Sequence, residues 1–252
     1  MDFGLSDLST TALLVILLGL FAGSLVKGVL GAGIPAVGLP IMVMVIDPAR
    51  AVTLFLVPVA ISNIWQIIES GHYREALGRF WPFLVALIIG VWFGAGALTN
   101  LEPRVIALAL GCVVIVTTVA QISTPNATFL QRHGRIVNPL AGGLIGLCSG
   151  ATGAFTPMIA YFAALRLHKN MFVTLLACGA FLGSIPLYLR LIEEGHLSWP
   201  QFTASALAVI PVGVGLTTGY LIRKRISEGV FRRIVQVCLL ILGVMLIWRG
   251  LR

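Results

Sequence analysis

Long apolar runs separated by short polar loops fill the chain. Against the roughly 20 residues that a helix needs to cross a bilayer, the runs at 10–27, 51–68, 80–98 and 105–122, then 172–191, 202–222 and 231–247, each predict a spanning helix. Three more, at 35–46, 139–149 and 157–167, hold about a dozen residues and predict re-entrant or half-membrane helices. The most polar linker, 124–138, divides the pattern in two. The expected organisation is a first membrane repeat at 1–123, a connecting loop at 124–137 and a second repeat at 138–252.

Both halves carry the same interruption, G-x-x-G-x-x-x-P, as Gly28, Gly31 and Pro35, then as Gly150, Gly153 and Pro157. Other matches follow at a similar offset: Ser62 with Ser184, Gly71-His72 with Gly195-His196, Trp81-Pro82 with Trp199-Pro200, and Gly94-x-Gly96 with Gly213-x-Gly215. Glycine-interrupted apolar segments at corresponding places in two halves mark the binding site of repeat-built transporters.

Composition agrees with a bilayer protein. With 58% hydrophobic and 10% charged residues, the chain has far less than the quarter of charged residues usual in a soluble domain. The net charge of +8 comes from cations in short loops, which topology explains without a nucleic-acid partner. The acidic start lacks the basic region of a signal peptide, so the first apolar run is expected to remain in the mature protein.

Charge also separates two topologies. If the interrupted segments each crossed once, the loop cations would divide 9 against 6. If the chain returns at each interruption, they divide 11 against 4, with Asp2, Asp7, Asp47, Glu102, Glu193 and Glu194 on the cation-poor side. The second division follows the positive-inside rule. It makes the fold an all-α polytopic membrane protein of two inverted repeats. Each repeat has about three spanning helices and a glycine-broken, re-entrant first element, about eight transmembrane segments by conventional count. The charge count does not distinguish a re-entrant hairpin from two paired spanning helices.

The chemistry follows from the breaks. A helix that stops inside the membrane exposes backbone groups that lipid cannot satisfy. Downstream of each break the sequence signals a helix start, Gly33-Ile34-Pro35 and Thr156-Pro157, with Thr156 as the expected N-cap. Two helix N-termini opening at depth make a site for an anion. Lys27 lies within an apolar run, where an ammonium costs about 2.5 to 3.5 kcal/mol. It reads as counter-charge to an anion or as a snorkelling lysine at a helix end. The candidate substrate-binding residues are therefore Lys27, Gly28, Gly31 and Gly33 at the first break, with Ser149, Gly150, Gly153 and Thr156 at the second. Ser62 and Asn63, on one face with Gln66, line a path or hold helices together. The four single cysteines read as buried small hydrophobes.

The stretch from Gly23 to Pro35, followed by Leu39-Pro40, resembles the sulfite exporter TauE/SafE family of membrane permeases, and the resemblance covers about 14–247. It implies transport of sulfite, sulfonates or other small organic anions in a bacterial-type inner membrane. Sparse glycine runs, with Ala32 inside the first and Ala154-Phe155-Thr156 after Gly153, depart from the family pattern. Hydrolase, metalloprotease and phosphate-loop motifs are absent, so the chain reads as a transporter, not an enzyme, with no cofactor. The expected partners are a small anion and the lipid bilayer. Coupling to protons or another ion, a homodimeric state, a passive anion channel and ion-coupled anion uptake are left open.

Overall fold

The computed structural model describes residues 9–30, 33–123, 134–165, 167–223 and 228–251. Among them the regular structure is helical, in twelve elements. The first half holds α1 (Thr10–Leu30), α2 (Ile34–Met42), α3 (Pro48–Thr53), α4 (Leu56–Ser70), α5 (Tyr73–Asn100) and α6 (Pro103–Ser123). The second holds α7 (Gly134–Thr152), α8 (Thr156–Ala164), α9 (Lys169–Glu193), α10 (Trp199–Leu207), α11 (Val209–Arg223) and α12 (Glu228–Gly250). Four stretches are long and apolar enough to cross a membrane: Thr10–Val29, Tyr73–Asn100, Asn170–Glu193 and Trp199–Ile222. Large apolar side chains such as Trp65 and Phe93 stand about 70% exposed on helix faces, as lipid-facing residues do.

Two of the three short helices expected are present. The nine-residue α2 and α8 each follow a glycine of positive φ, Gly33 at 125° and Gly153 at 69°. Helices this short are marginal alone, so packing holds them. Seven of the nine residues of α2 are buried, and the helix doubles back along α1. A Cβ on Gly38 would meet the Gly19 carbonyl at 2.8 Å, and one on Gly23 would strike the Ile34 carbonyl. Tyr161 of α8 stacks on Phe83 of α5 with centroids 5.4 Å apart, and its hydroxyl donates to Asn138 Oδ1 over 2.6 Å.

The third expected half-helix, 139–149, is instead the middle of the 19-residue α7. Pro139 lies inside that helix, which continues past it although the ring takes away one helical amide. At 1.5 Å per residue α7 is about 28 Å long, and it begins inside the segment expected as a connecting loop. Conversely, two runs expected as single helices are broken. A proline ring clashes with the carbonyl four residues earlier. Pro58 therefore frees Leu54 at the α3–α4 junction, and Pro211 frees Leu207 at the α10–α11 junction. At the first junction Ser205 of α10 repairs the damage, donating to the Leu54 carbonyl at 3.1 Å and accepting from the Val57 amide at 3.0 Å.

The long helices pair through glycine, which lets backbones approach closely. Ser24 and Gly28 of α1 lie against Gly215 and Gly219 of α11, in parallel register. Gly146 and Gly150 of α7 lie against Gly90 and Gly94 of α5, also in parallel. Gly111 of α6 meets Gly243 of α12 in antiparallel register. Ser70 and Thr174, then Val52 and Tyr188, bracket an antiparallel pairing of the α3–α4 segment with α9.

Candidate functional site

One cavity gathers the starts of both half-helices. Gly33, Ile34, Pro35 and Ala36 of the first break and Phe155, Thr156 and Met158 of the second line it, with Lys27, Asn63 and Gln66. Val59, Ile159, Leu176, Ala177 and Ala180 complete its apolar walls. Its volume is about 50 Å³, several times the roughly 10–15 Å³ minimum for one water. A small ion fits.

The termini are uncapped. Neither Gly33 nor Phe155, the N-cap residues, makes a side-chain capping bond. Thr156 was expected to cap α8 but is its first helical residue, so its hydroxyl does not close the end. The first amides of a helix have no intrahelical acceptor, and each N-terminus carries roughly half a positive charge. Both ends therefore present donors and positive potential to the cavity.

Lys27 is 6% exposed and comes from α1, one turn before the first break. Its Nζ donates to Asn63 Oδ1 at 2.7 Å and to Ser62 Oγ at 3.0 Å, while the Ser62 hydroxyl donates to the Val59 carbonyl at 3.1 Å. Both partners are neutral side chains of α4. The lysine is thus held across a helix interface, which the snorkelling alternative does not describe. Because an ammonium has only donors, Asn63 must turn its oxygen to Lys27. Its Nδ2 is then buried without a partner, as is Thr156 Oγ1. Unsatisfied buried polar atoms are uncommon, and both of these belong to residues lining the cavity.

The structure therefore brings together Lys27, Gly33, Asn63 and Thr156, with Ser62 behind Lys27. Other candidates lie elsewhere. Gly28 and Gly150 face α11 and α5 as packing contacts. Gly153 makes the positive-φ turn against Val52, whose side chain leaves no room for a Cβ. Ser149 stands where Lys27 stands in the first half; it is fully buried with an unpartnered Oγ, but it does not line the cavity. Gly31 lies outside the described residues. Sequence reasoning missed Phe155, Met158 and the α9 wall. Phe155 was legible only through its place at the N-cap before Thr156-Pro157.

The comparisons fit this architecture. The family model described as sulfite exporter TauE/SafE matches residues 15–246, which include both breaks and every residue lining the cavity. No curated protein and no solved structure matches the chain. With over nine-tenths of its length matched, this integral membrane protein belongs to the TauE/SafE sulfite exporter family.

Proposed function

We propose that the chain is a secondary transporter that exports small sulfur-containing or organic oxyanions, bound in the cavity between the starts of α2 and α8. The observation that carries this reading is the convergence of donors: Lys27 Nζ, two uncapped helix N-termini, Asn63 Nδ2 and Thr156 Oγ1, with no acidic residue in the lining. Such a set stabilises negative charge and holds no carboxylate to attract a cation.

The two halves act as inverted repeats in this proposal. The parallel pairing of α1 with α11 and of α7 with α5, together with the antiparallel pairing of α6 with α12, supports opposite orientations for equivalent helices. Related by an axis in the membrane plane, the repeats would place the site near the midplane of a bacterial-type inner membrane. An inside-negative potential favours expelling an anion by about 2.3 kcal/mol per charge per 100 mV, so export requires no further energy source.

The test is thermal stabilisation of the purified chain by sulfite, sulfate, thiosulfate, sulfoacetate, taurine and simple carboxylates, followed by flux in proteoliposomes. Stabilisation by one of the anions, lost in Lys27→Ala with insertion intact, is expected. Saturating flux with counterflow is the carrier result, and non-saturating current would defeat it in favour of a channel. A folded Lys27→Ala that transports at the wild-type rate would remove Lys27 from the site.

A further inference from the structure

We infer that the Phe155 ring sets the upper size of the anion the cavity accepts. The inference rests on the anion-site reading above. The two half-helices begin alike, with proline as the second helical residue after N-caps Gly33 and Phe155. These two caps occupy equivalent places in the two repeats, and both line the cavity. One contributes no side chain, and the other contributes a phenyl ring. The ring of Phe155 therefore bounds the cavity from the second break, with no counterpart side chain from the first.

The ring has a built seat. A Cβ on Gly183 of α9 would stand 2.5 Å from Phe155 Cε1 and 3.0 Å from Cζ, so only glycine lets the ring lie against that helix. The same Gly183 Cβ would lie 3.5 Å from Leu87 of α5, so core packing adjoins this seat. On another side Phe155 lines the cavity. That cavity measures about 50 Å³, whereas a site able to hold a benzene ring needs on the order of 150 Å³. Removing the phenyl group would therefore enlarge the space several-fold. The donors would remain in place, because they come from Lys27, Asn63, Thr156 and backbone amides.

The experiment compares thermal stabilisation of the full chain by sulfite, methanesulfonate and benzenesulfonate. The wild-type protein is expected to respond to sulfite and not to benzenesulfonate. Phe155→Ala should keep the sulfite response and gain benzenesulfonate, with its half-maximal concentration lowered by about tenfold or more. Gly183→Ala removes the seat and drives the ring toward the open volume. It should weaken methanesulfonate relative to sulfite without any change at residue 155. If Phe155→Ala does not fold, Phe155→Leu must still shift the preference toward methanesulfonate. A wild-type protein that already takes benzenesulfonate overturns the inference, as does a folded variant with an unchanged size limit. Failure of every anion to stabilise the wild type would instead overturn the anion site, and this inference with it.

Discussion

Lys27 Nζ lies 2.7 Å from Asn63 Oδ1, a bond that joins the first broken helix to α4 and leaves the other end of the amide buried without a partner. One atom of difference at Asn63 reverses the electrostatics. Asn63→Asp would place a carboxylate beside the lysine and supply internally the negative charge that the anion is proposed to bring. The expected outcome is a folded protein whose anion affinity falls by at least about tenfold, or about 1.4 kcal/mol. Titrating thermal stabilisation with sulfite measures it, and unchanged affinity would separate Lys27 from anion binding.

Neighbouring glycines of α7 should behave oppositely. A Cβ on Gly143 meets nothing within 4 Å, whereas one on Gly146 would strike the Leu87 carbonyl and approach Gly90 Cα at 3.0 Å. Gly143→Ala is expected to leave thermal stability in detergent unchanged. Gly146→Ala should lower it by about 1–3 kcal/mol through overpacking. Gly111 is unsuitable as a neutral control for either break, since it packs on Gly243 of α12.

Ser205→Ala leaves the Leu54 carbonyl and Val57 amide without their described partner, at a cost of about 1–3 kcal/mol for each orphaned group. Restoring an amide with Pro58→Ala gives Leu54 a helical donor. The serine substitution should therefore cost less in that background by about 1 kcal/mol. A double-mutant cycle of thermal unfolding checks the coupling, and strict additivity would show that Pro58 does not cause the break.

The cation-rich loops should face the cytoplasm. α1 and α11 run in parallel and α12 runs back along α6, which puts the start of α1 and the end of α12 on one side. Reporter fusions at residues 1 and 252 are expected to register outside the cytoplasm, and a fusion at Arg132 inside. A cytoplasmic reporter at residue 252 would defeat this orientation.

The two half-helices were legible because glycine and proline punctuate backbone whatever surrounds them. The partnership of Lys27 with Ser62 and Asn63 was partly legible, since a buried amine needs acceptors and these two share a helix face. The roles of individual glycines were not. Gly28 and Gly33 look alike in sequence, yet one faces α11 and the other faces the cavity. Only the rotation of each helix about its axis separates packing from binding. The α3–α4 break was hidden for a related reason: Pro58 is tolerated in many membrane helices, and its consequence depended on Ser205, nearly 150 residues away. The span of α7 was underestimated because its first turn is polar enough to read as loop.

The reciprocal glycine seams carry a consequence for how the chain is made. When α7 leaves the ribosome its partner α5 has already been synthesised, so Gly146 and Gly150 find Gly90 and Gly94 waiting. The seam of α1 has no such partner. Ser24 and Gly28 pair with Gly215 and Gly219, made roughly 190 residues later. Although α2 packs on α1 at once, the Ser24–Gly28 face is among the last to find its neighbour, and until then it lies open to lipid or to the insertion machinery. Neither half owns a complete core, so the first repeat, released alone, would be a fragment in search of its second.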